Sequence, residues 1–168
     1  LVSEKIADPS KLAILGWSYG GYAALQAGVI EPTLFKALVA IAPVTDLDMI
    51  KKSARNFTNS ELVAQEIGAG AHVTAGSPLQ NAERIQVPVL LFHGDMDINV
   101  GVQHAREMSA KLQALGKPCE LIVYKNLQHS LEDSNARAQM LDKIAAFFEV
   151  AIKDSVRLGL CPRHPPRC

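Results

Sequence analysis

The chain has 168 residues, and its 17 Lys and Arg residues balance its 17 Asp and Glu residues, so its formal net charge is zero. Hydrophobic residues make up 48% and charged residues 20% of the chain, which is typical of a globular domain and excludes a disordered or collagen-like chain. The balanced charge argues against a nucleic-acid-binding protein or a polybasic membrane-surface protein. No apolar run approaches the ~20 residues that are needed to span a bilayer, so no membrane span is expected.

Short apolar runs alternate with amphipathic helical patterns along the chain, which is typical of a parallel sheet with crossover helices. The apolar runs predict strands over 11–16, 37–42, 87–92 and 119–124. The amphipathic patterns predict helices over 20–29, 46–55, 60–67, 100–115 and 135–153, with Thr45 or Asp46 and then Ser60 as N-caps of the second and third. The pattern therefore predicts one α/β domain over 1–155 and an irregular tail over 156–168.

A serine motif connects the first predicted strand to the first predicted helix. Gly16 to Gly20 reads G-W-S-Y-G, which matches G-x-S-x-G, and Gly21 follows it. This setting is typical of a nucleophile elbow, in which a strained turn holds a serine hydroxyl above the sheet edge. Ser18 is therefore the predicted nucleophile, and the backbone N–H of Tyr19 is the predicted oxyanion donor at the helix N-terminus. We expect the glycines because strand and helix pack too closely here for side chains; the alternative is a glycine-rich turn with an incidental serine.

Two carboxylates follow the third predicted strand. Asp95 and Asp97 lie just beyond its carboxyl end, where active-site residues of open α/β sheets are found. Either residue can instead form a turn or cap the next helix. One of them can do so, but we do not expect both to, and the residues alone leave both open as the catalytic acid.

The nucleophile needs a base, which is usually a His oriented by a carboxylate. Where the nucleophile lies in such an elbow, the three residues follow one another in the chain order Ser, Asp, His. His72 and His93 precede both candidate acids and are therefore excluded as the base. His104 lies in a predicted helix, where we expect it at the surface, and His164 lies in the tail. His129 follows the fourth strand by a short loop and is therefore the predicted base; the alternative is an exposed loop His.

The dipeptide His93-Gly94 resembles the His-Gly element that supplies an oxyanion-hole amide in some lipases. That element precedes the nucleophile in sequence, whereas this dipeptide follows Ser18. We therefore reject that role for it.

Three cysteines are too few for a disulfide framework in a chain of this length. Cys119 lies in an apolar run and is predicted to be a buried thiol. Cys161 and Cys168 lie in the Pro- and Arg-rich tail, where they either pair with each other or stay as free thiols. With His164 between them they form only a weak metal-site pattern, and no metal site is predicted.

These motifs together resemble the catalytic domain of the prolyl oligopeptidase family of serine peptidases, and bacterial dipeptidyl aminopeptidase and acylaminoacyl-peptidase members are the most similar in style. The resemblance runs from the start of the chain to about residue 150. It rests on A-D-P-S-K-L-A-I-L-G-W-S-Y-G-G-Y at 7–22, A-P-V-T-D at 42–46, G-S-P at 76–78 and V-P-V-L-L-F-H-G-D-M-D-I-N-V at 87–100. The resemblance places the nucleophile on Ser18, the acid on Asp97 rather than Asp95, and the base on His129.

The resemblance implies an α/β-hydrolase fold and a serine-type peptidase that hydrolyses oligopeptides through an acyl-enzyme. The same triad cleaves esters, so a carboxylesterase or dienelactone-hydrolase-like enzyme that takes a small acyl substrate is an alternative. A truncated, non-catalytic module is a further alternative. The chemistry implies no metal or organic cofactor.

The fold that the resemblance implies has further strands before the nucleophile strand, and one oxyanion donor comes from that segment. Only about ten residues precede the first predicted strand here, so we expect the second half of the mainly parallel sheet with an unpaired apolar edge at 11–16. Loss of one oxyanion donor typically costs ~10²–10³ in rate. We therefore expect the chain to be the C-terminal part of a longer hydrolase, or to be completed by the missing N-terminal segment or another chain.

Overall fold

The computed structural model describes residues 1–55 and 57–158. Its strands form one parallel sheet in the order β1-β2-β3-β4, with β1 at Ile14–Trp17, β2 at Leu38–Ile41, β3 at Val89–Gly94 and β4 at Cys119–Tyr124. The helices are α1 at Tyr19–Ile30, α2 at Leu47–Ala54, α3 at Ser60–Ile67, α4 at Ala71–Ala75, α5 at Gln103–Ala114 and α6 at Ser134–Leu158. Short 3₁₀ turns lie at Pro9–Lys11 and Ala82–Arg84.

The two inner strands are buried along their whole length because helices cover both faces of the sheet. Side chains alternate between the faces. On one face the strands pack against α1 and α5, in a cluster that includes Leu25, Leu38, Leu91 and Met108. On the other face they pack against α6, in a cluster that includes Ile41, Phe92, Met140 and Ile144.

The edge strand β1 differs from the inner strands. Among the described residues it pairs with β2 on one side only, with Ile14 opposite Leu38 and Trp17 opposite Ile41. Leu15 is 47% exposed. The expected free apolar edge is therefore present, and the first predicted strand is shorter than expected because it begins at Ile14 rather than at residue 11.

The helix ends show which capping predictions are right. Asp46 caps α2, since its Oδ1 accepts a hydrogen bond from the Met49 N–H at 2.9 Å. The N-cap of α3 is Asn59 and not Ser60, which is the first helical residue. Gly116 follows α5 with φ at 68°, the left-handed conformation that ends many helices.

The structure adds α4, in a segment for which the sequence predicted neither a helix nor a strand. It also extends the last helix to Leu158, so the first three residues of the predicted tail are helical. The remaining tail, 159–168, lies outside the described residues, together with Cys161, His164 and Cys168. Cys119 is a free, half-buried thiol, and burial raises its pKa. None of the helices described is both long and apolar enough to cross a membrane.

The predicted surface position of His104 is wrong, because this residue is 1% exposed. Its Nδ1 accepts a hydrogen bond from the backbone N–H of Thr45 at 3.1 Å. Burial lowers the pKa of His104 to about 4, helped by the nearby His93, so the ring is uncharged at neutral pH. The spacing contained the signal, since His104, Met108 and Leu112 are four residues apart and share the buried face of α5.

Candidate active site

Ser18 forms the turn between β1 and α1. Its φ of 57° and ψ of −118° lie in a region that is strained for a residue with a side chain. The surrounding backbone holds this conformation, because the Ser18 N–H donates to the Ile41 carbonyl at 2.8 Å and the Ser18 carbonyl accepts from the Tyr22 N–H at 3.0 Å. The strained strand-to-helix turn that the motif predicts is therefore present, with a half-buried serine at its apex.

The glycines around Ser18 do not all have the same role. A Cβ on Gly16 would lie within 3.0 Å of three backbone atoms of Gly20 and Gly21, and one on Gly21 would lie 3.1 Å from the Ile41 carbonyl oxygen. A Cβ on Gly20 would meet nothing within 4 Å. Close packing therefore explains Gly16 and Gly21, whereas the expectation that it also explains Gly20 is wrong.

Tyr19 begins α1 directly after the serine. The first N–H groups of a helix have no acceptor inside the helix, and they carry the positive end of its dipole. The Tyr19 N–H is therefore free to donate to a negative oxygen beside Ser18. The residue is 77% exposed, and its ring centre lies 5.6 Å from that of Tyr22.

Asp97 follows β3 and uses its two carboxylate oxygens differently. Its Oδ1 accepts hydrogen bonds from the N–H groups of Asn99 and Val100, both at 2.9 Å, and so closes the turn that leads to α5. Its Oδ2 lies 2.7 Å from Nδ1 of His129 and 3.2 Å from Nε2 of His93. Burial by itself raises the pKa of Asp97, but hydrogen bonds from His93, Val100 and His129 lower it below its ordinary value. One carboxylate therefore both forms the turn and binds the imidazole.

His129 lies in the loop between β4 and α6, and its side chain is 18% exposed. Its Nδ1 donates to Asp97 at 2.7 Å, which leaves Nε2 as the nitrogen that can accept a proton. Its backbone carbonyl accepts a hydrogen bond from the indole N–H of Trp17, the neighbour of Ser18, at 3.1 Å. The structure thus brings Asp97 and His129 together, while no hydrogen bond within the described residues joins the Ser18 hydroxyl to the His129 ring.

Asp95 holds the histidine loop against the end of β3. Its Oδ1 accepts from the Asn126 N–H at 2.7 Å, and the Met96 N–H donates to the Leu127 carbonyl at 3.1 Å. A Cβ on Gly94 would collide with the Leu127 and Gln128 carbonyls, so only glycine lets this backbone pack so closely. Asp95 is therefore a loop anchor, and His129 follows directly after the anchored segment.

Arg137 of α6 holds the other side of the same loop. Its guanidinium donates to the carbonyls of Leu131 at 2.9 Å and Ser130 at 2.7 Å, and it lies 6.0 Å from the centre of the Trp17 ring. Together with the Trp17 hydrogen bond, these contacts connect the serine turn, the histidine loop and α6. Arg137 could not be identified from the sequence, because neither its spacing nor its position in an amphipathic helix distinguishes it from a surface residue.

A cavity of about 280 Å³ opens beside the Asp97 turn. Ile98 and Asn99 of that turn form one wall. The rest of the lining has apolar side chains from α2, α3 and the segment between them, which include Ile50, Val63 and Phe57. Ile98 is 67% exposed and Phe57 is 49% exposed. The cavity can therefore accept an apolar group beside the turn that follows Asp97.

Comparisons with known proteins agree with the predicted family. The sequence profile described as prolyl oligopeptidase family matches residues 1–155. The chain is 29% identical over 143 residues to dipeptidyl peptidase family member 1 of Caenorhabditis elegans, in an alignment that covers 84% of this chain and 17% of that protein.

Solved structures show the same likeness. A puromycin-hydrolyzing peptidase of Mycobacterium tuberculosis superposes with a TM-score of 0.81 and 26% identity, over 98% of this chain and 24% of the other. Dipeptidyl peptidase 4 of Porphyromonas gingivalis superposes with a TM-score of 0.71 and 27% identity, over 84% of this chain and 20% of the other. The predicted α/β-hydrolase fold is confirmed, and the chain spans about a quarter or less of the length of these relatives.

Proposed function

The chain belongs to the prolyl oligopeptidase family, and on that premise we propose that it carries out the chemistry of a serine-type peptidase. In this proposal Ser18 is the nucleophile, His129 the base and Asp97 the acid that orients the imidazole. The observation that supports it most strongly is the 2.7 Å hydrogen bond between Asp97 and His129, in a loop that Trp17 connects to the strained serine turn.

The proposed reaction is acyl transfer to Ser18. His129 Nε2 takes the hydroxyl proton as the serine oxygen attacks the scissile carbonyl carbon, and the Tyr19 N–H donates to the oxygen that becomes negative. His129 then gives the proton to the leaving amine, and the acyl-enzyme forms. Water, deprotonated by the same ring, releases the acyl group and restores the serine.

Asp97 supports this role through its charge. The lowered pKa of Asp97 keeps the carboxylate ionised at neutral pH, so it can hold the hydrogen of His129 on Nδ1 and stabilise the imidazolium that forms during catalysis. An Asn at this position would keep the shape and lose the charge. We expect Asp97→Asn to lower kcat by about 10⁴-fold.

The proposed substrates are oligopeptides or small acyl compounds. Relatives with solved structures are a puromycin-hydrolyzing peptidase and a dipeptidyl peptidase, which favours cleavage of amide bonds. The apolar cavity beside Ile98 suits an apolar side chain of such a substrate.

A second oxyanion donor is also part of the proposal. It is supplied by a segment that pairs with the free apolar edge of β1, either elsewhere in a longer protein or in another chain. The exposed Leu15 on this edge favours such pairing.

Hydrolysis assays test the proposed function. Peptide nitroanilides and short-chain esters are offered to the wild type, Ser18→Ala and the matched control Ser130→Ala. Ser130 is exposed, and its contact with Arg137 is made by the backbone carbonyl, which the substitution keeps. Preferential nitroanilide hydrolysis that is lost only in Ser18→Ala supports the peptidase. Ester hydrolysis alone would indicate the esterase, and a folded protein that cleaves neither would indicate a non-catalytic module.

A further inference from the structure

His93 has no function in the chemistry described so far, although it lies next to it. The residue belongs to β3, and its side chain is fully buried. Its Nε2 lies 2.7 Å from the Val100 carbonyl oxygen and 3.2 Å from Oδ2 of Asp97. Since a carbonyl oxygen can only accept, Nε2 must carry the hydrogen. This N–H donates its hydrogen bond to the Val100 carbonyl, and it also lies 3.2 Å from the Asp97 carboxylate, where its positive hydrogen attracts the negative oxygen.

The other nitrogen of His93 shows that the ring is not held by hydrogen bonds on both sides. Its Nδ1 is buried and has no hydrogen-bond partner within the described residues. A buried polar atom without a partner costs free energy. An apolar residue of similar size would avoid that cost, so filling space does not explain a histidine here.

The Asp97 carboxylate is therefore surrounded by four N–H donors. The Asn99 and Val100 amides donate hydrogen bonds to Oδ1, and His129 donates one to Oδ2. The His93 N–H lies 3.2 Å from the same Oδ2. The two imidazoles approach Oδ2 from different elements, His129 from the β4–α6 loop and His93 from β3. With both oxygens bound, the carboxylate cannot rotate about its last bond without losing several hydrogen bonds.

We propose that His93 is a positioning residue, whose Nε2–H holds Oδ2 of Asp97 in line with Nδ1 of His129. This inference rests on the proposed function, because the Asp97 and His129 pair has to be the acid and base for its geometry to affect a rate. His93 itself does not exchange a proton with the substrate. It acts only through Asp97.

The test compares two substitutions at this position. His93→Leu fills the space without an N–H, and His93→Gln restores an N–H donor at similar reach. The first readout is the proton NMR signal of the His129 Nδ1–H, assigned by its absence in His129→Gln. A hydrogen bond of 2.7 Å to a carboxylate is strong and charge-assisted, so this signal is expected far downfield and protected from exchange with water.

We expect His93→Leu to broaden or abolish that signal and to lower kcat by about tenfold at unchanged KM, the worth of one lost hydrogen bond. We expect His93→Gln to retain the signal and most of the rate. Circular dichroism and urea unfolding are used first to check that each variant is folded, and only folded variants are compared for the NMR signal and kcat.

Two results would overturn the inference. One is a His129 signal and a kcat that are unchanged in His93→Leu. The other is equal loss of the signal in the Leu and Gln variants, which would mean that ring shape matters and the donor does not. If no variant, nor the wild type, hydrolyses any substrate, the proposed function fails, but the NMR signal still decides whether His93 positions Asp97.

Discussion

Gly16 and Gly20 lie two residues before and two residues after Ser18, and we expect their substitution by alanine to have opposite effects on stability. Gly16→Ala would place a Cβ within 3.0 Å of three backbone atoms at the start of α1, the Gly21 nitrogen among them at 2.7 Å. Backbone atoms cannot rotate away as a side chain can, so the helix start must move. We expect destabilisation by about 3 kcal/mol, the upper end of the usual range for overpacking, and a fall in Tm of roughly 6–12 °C.

Gly20→Ala is the matched control, because the new Cβ meets no atom within 4 Å. Alanine favours the helix over glycine by about 1 kcal/mol, so the variant should be as stable as the wild type or slightly more stable. Urea unfolding followed by circular dichroism measures both changes. Equal destabilisation by the two substitutions would refute the packing argument, and so would a Gly16→Ala variant of unchanged stability.

Three further predictions concern charge and the histidine loop. Arg137→Met removes the hydrogen bonds to the Ser130 and Leu131 carbonyls. It should lower the unfolding free energy by about 1–3 kcal/mol and should also lower kcat. An unchanged kcat would show that the histidine loop keeps its shape without these hydrogen bonds. The folded pKa of His104 is about 4, below its ordinary value of 6.5, so the unfolding free energy should fall by up to about 3 kcal/mol as the pH drops from 6.5 to 4. Urea unfolding at several pH values measures this change, and the unfolding free energy of His104→Gln should depend less on pH over the same range. An equal pH dependence in the two proteins would contradict the assignment. Because the folded pKa of Asp97 is lowered, its contribution to stability is complete above the ordinary value of 3.8 and is lost as the pH falls through the folded value, so acid unfolding of the wild type and of Asp97→Asn should converge below that pH and diverge above it.

The sequence predicted the sheet, and the two residues that it offered as acid and base, Asp97 and His129, lie in contact in the structure for a physical reason. Each strand is a short and mostly apolar run, and the fourth was located at its observed bounds, Cys119–Tyr124. Parallel strands direct their carboxyl ends to one edge, so residues just beyond them meet in space. Asp97 and His129 are 32 positions apart in the chain and 2.7 Å apart in the structure.

Features that depend on packing between elements could not be predicted in the same way. Gly20 has the same place in the motif as Gly16, and only the approach of the helix backbone to β1 shows that the two differ. His93 was set aside by chain order, and only the structure shows its contact with Asp97. The spacing of four residues between His104 and Met108 indicates a shared buried helix face, but the polarity of histidine favoured the surface position that was predicted.

Labelling with a fluorophosphonate probe, followed by mass spectrometry of the digested protein, tests the central claim most directly. The probe reacts with a serine that a neighbouring base activates, and it requires no particular substrate side chain. We predict one adduct, on Ser18, that is absent in Ser18→Ala, strongly reduced in His129→Gln and retained in Ser130→Ala. A protein that is folded by circular dichroism but carries no adduct, or carries it on another residue, would contradict the assignment of Ser18 and His129 as nucleophile and base.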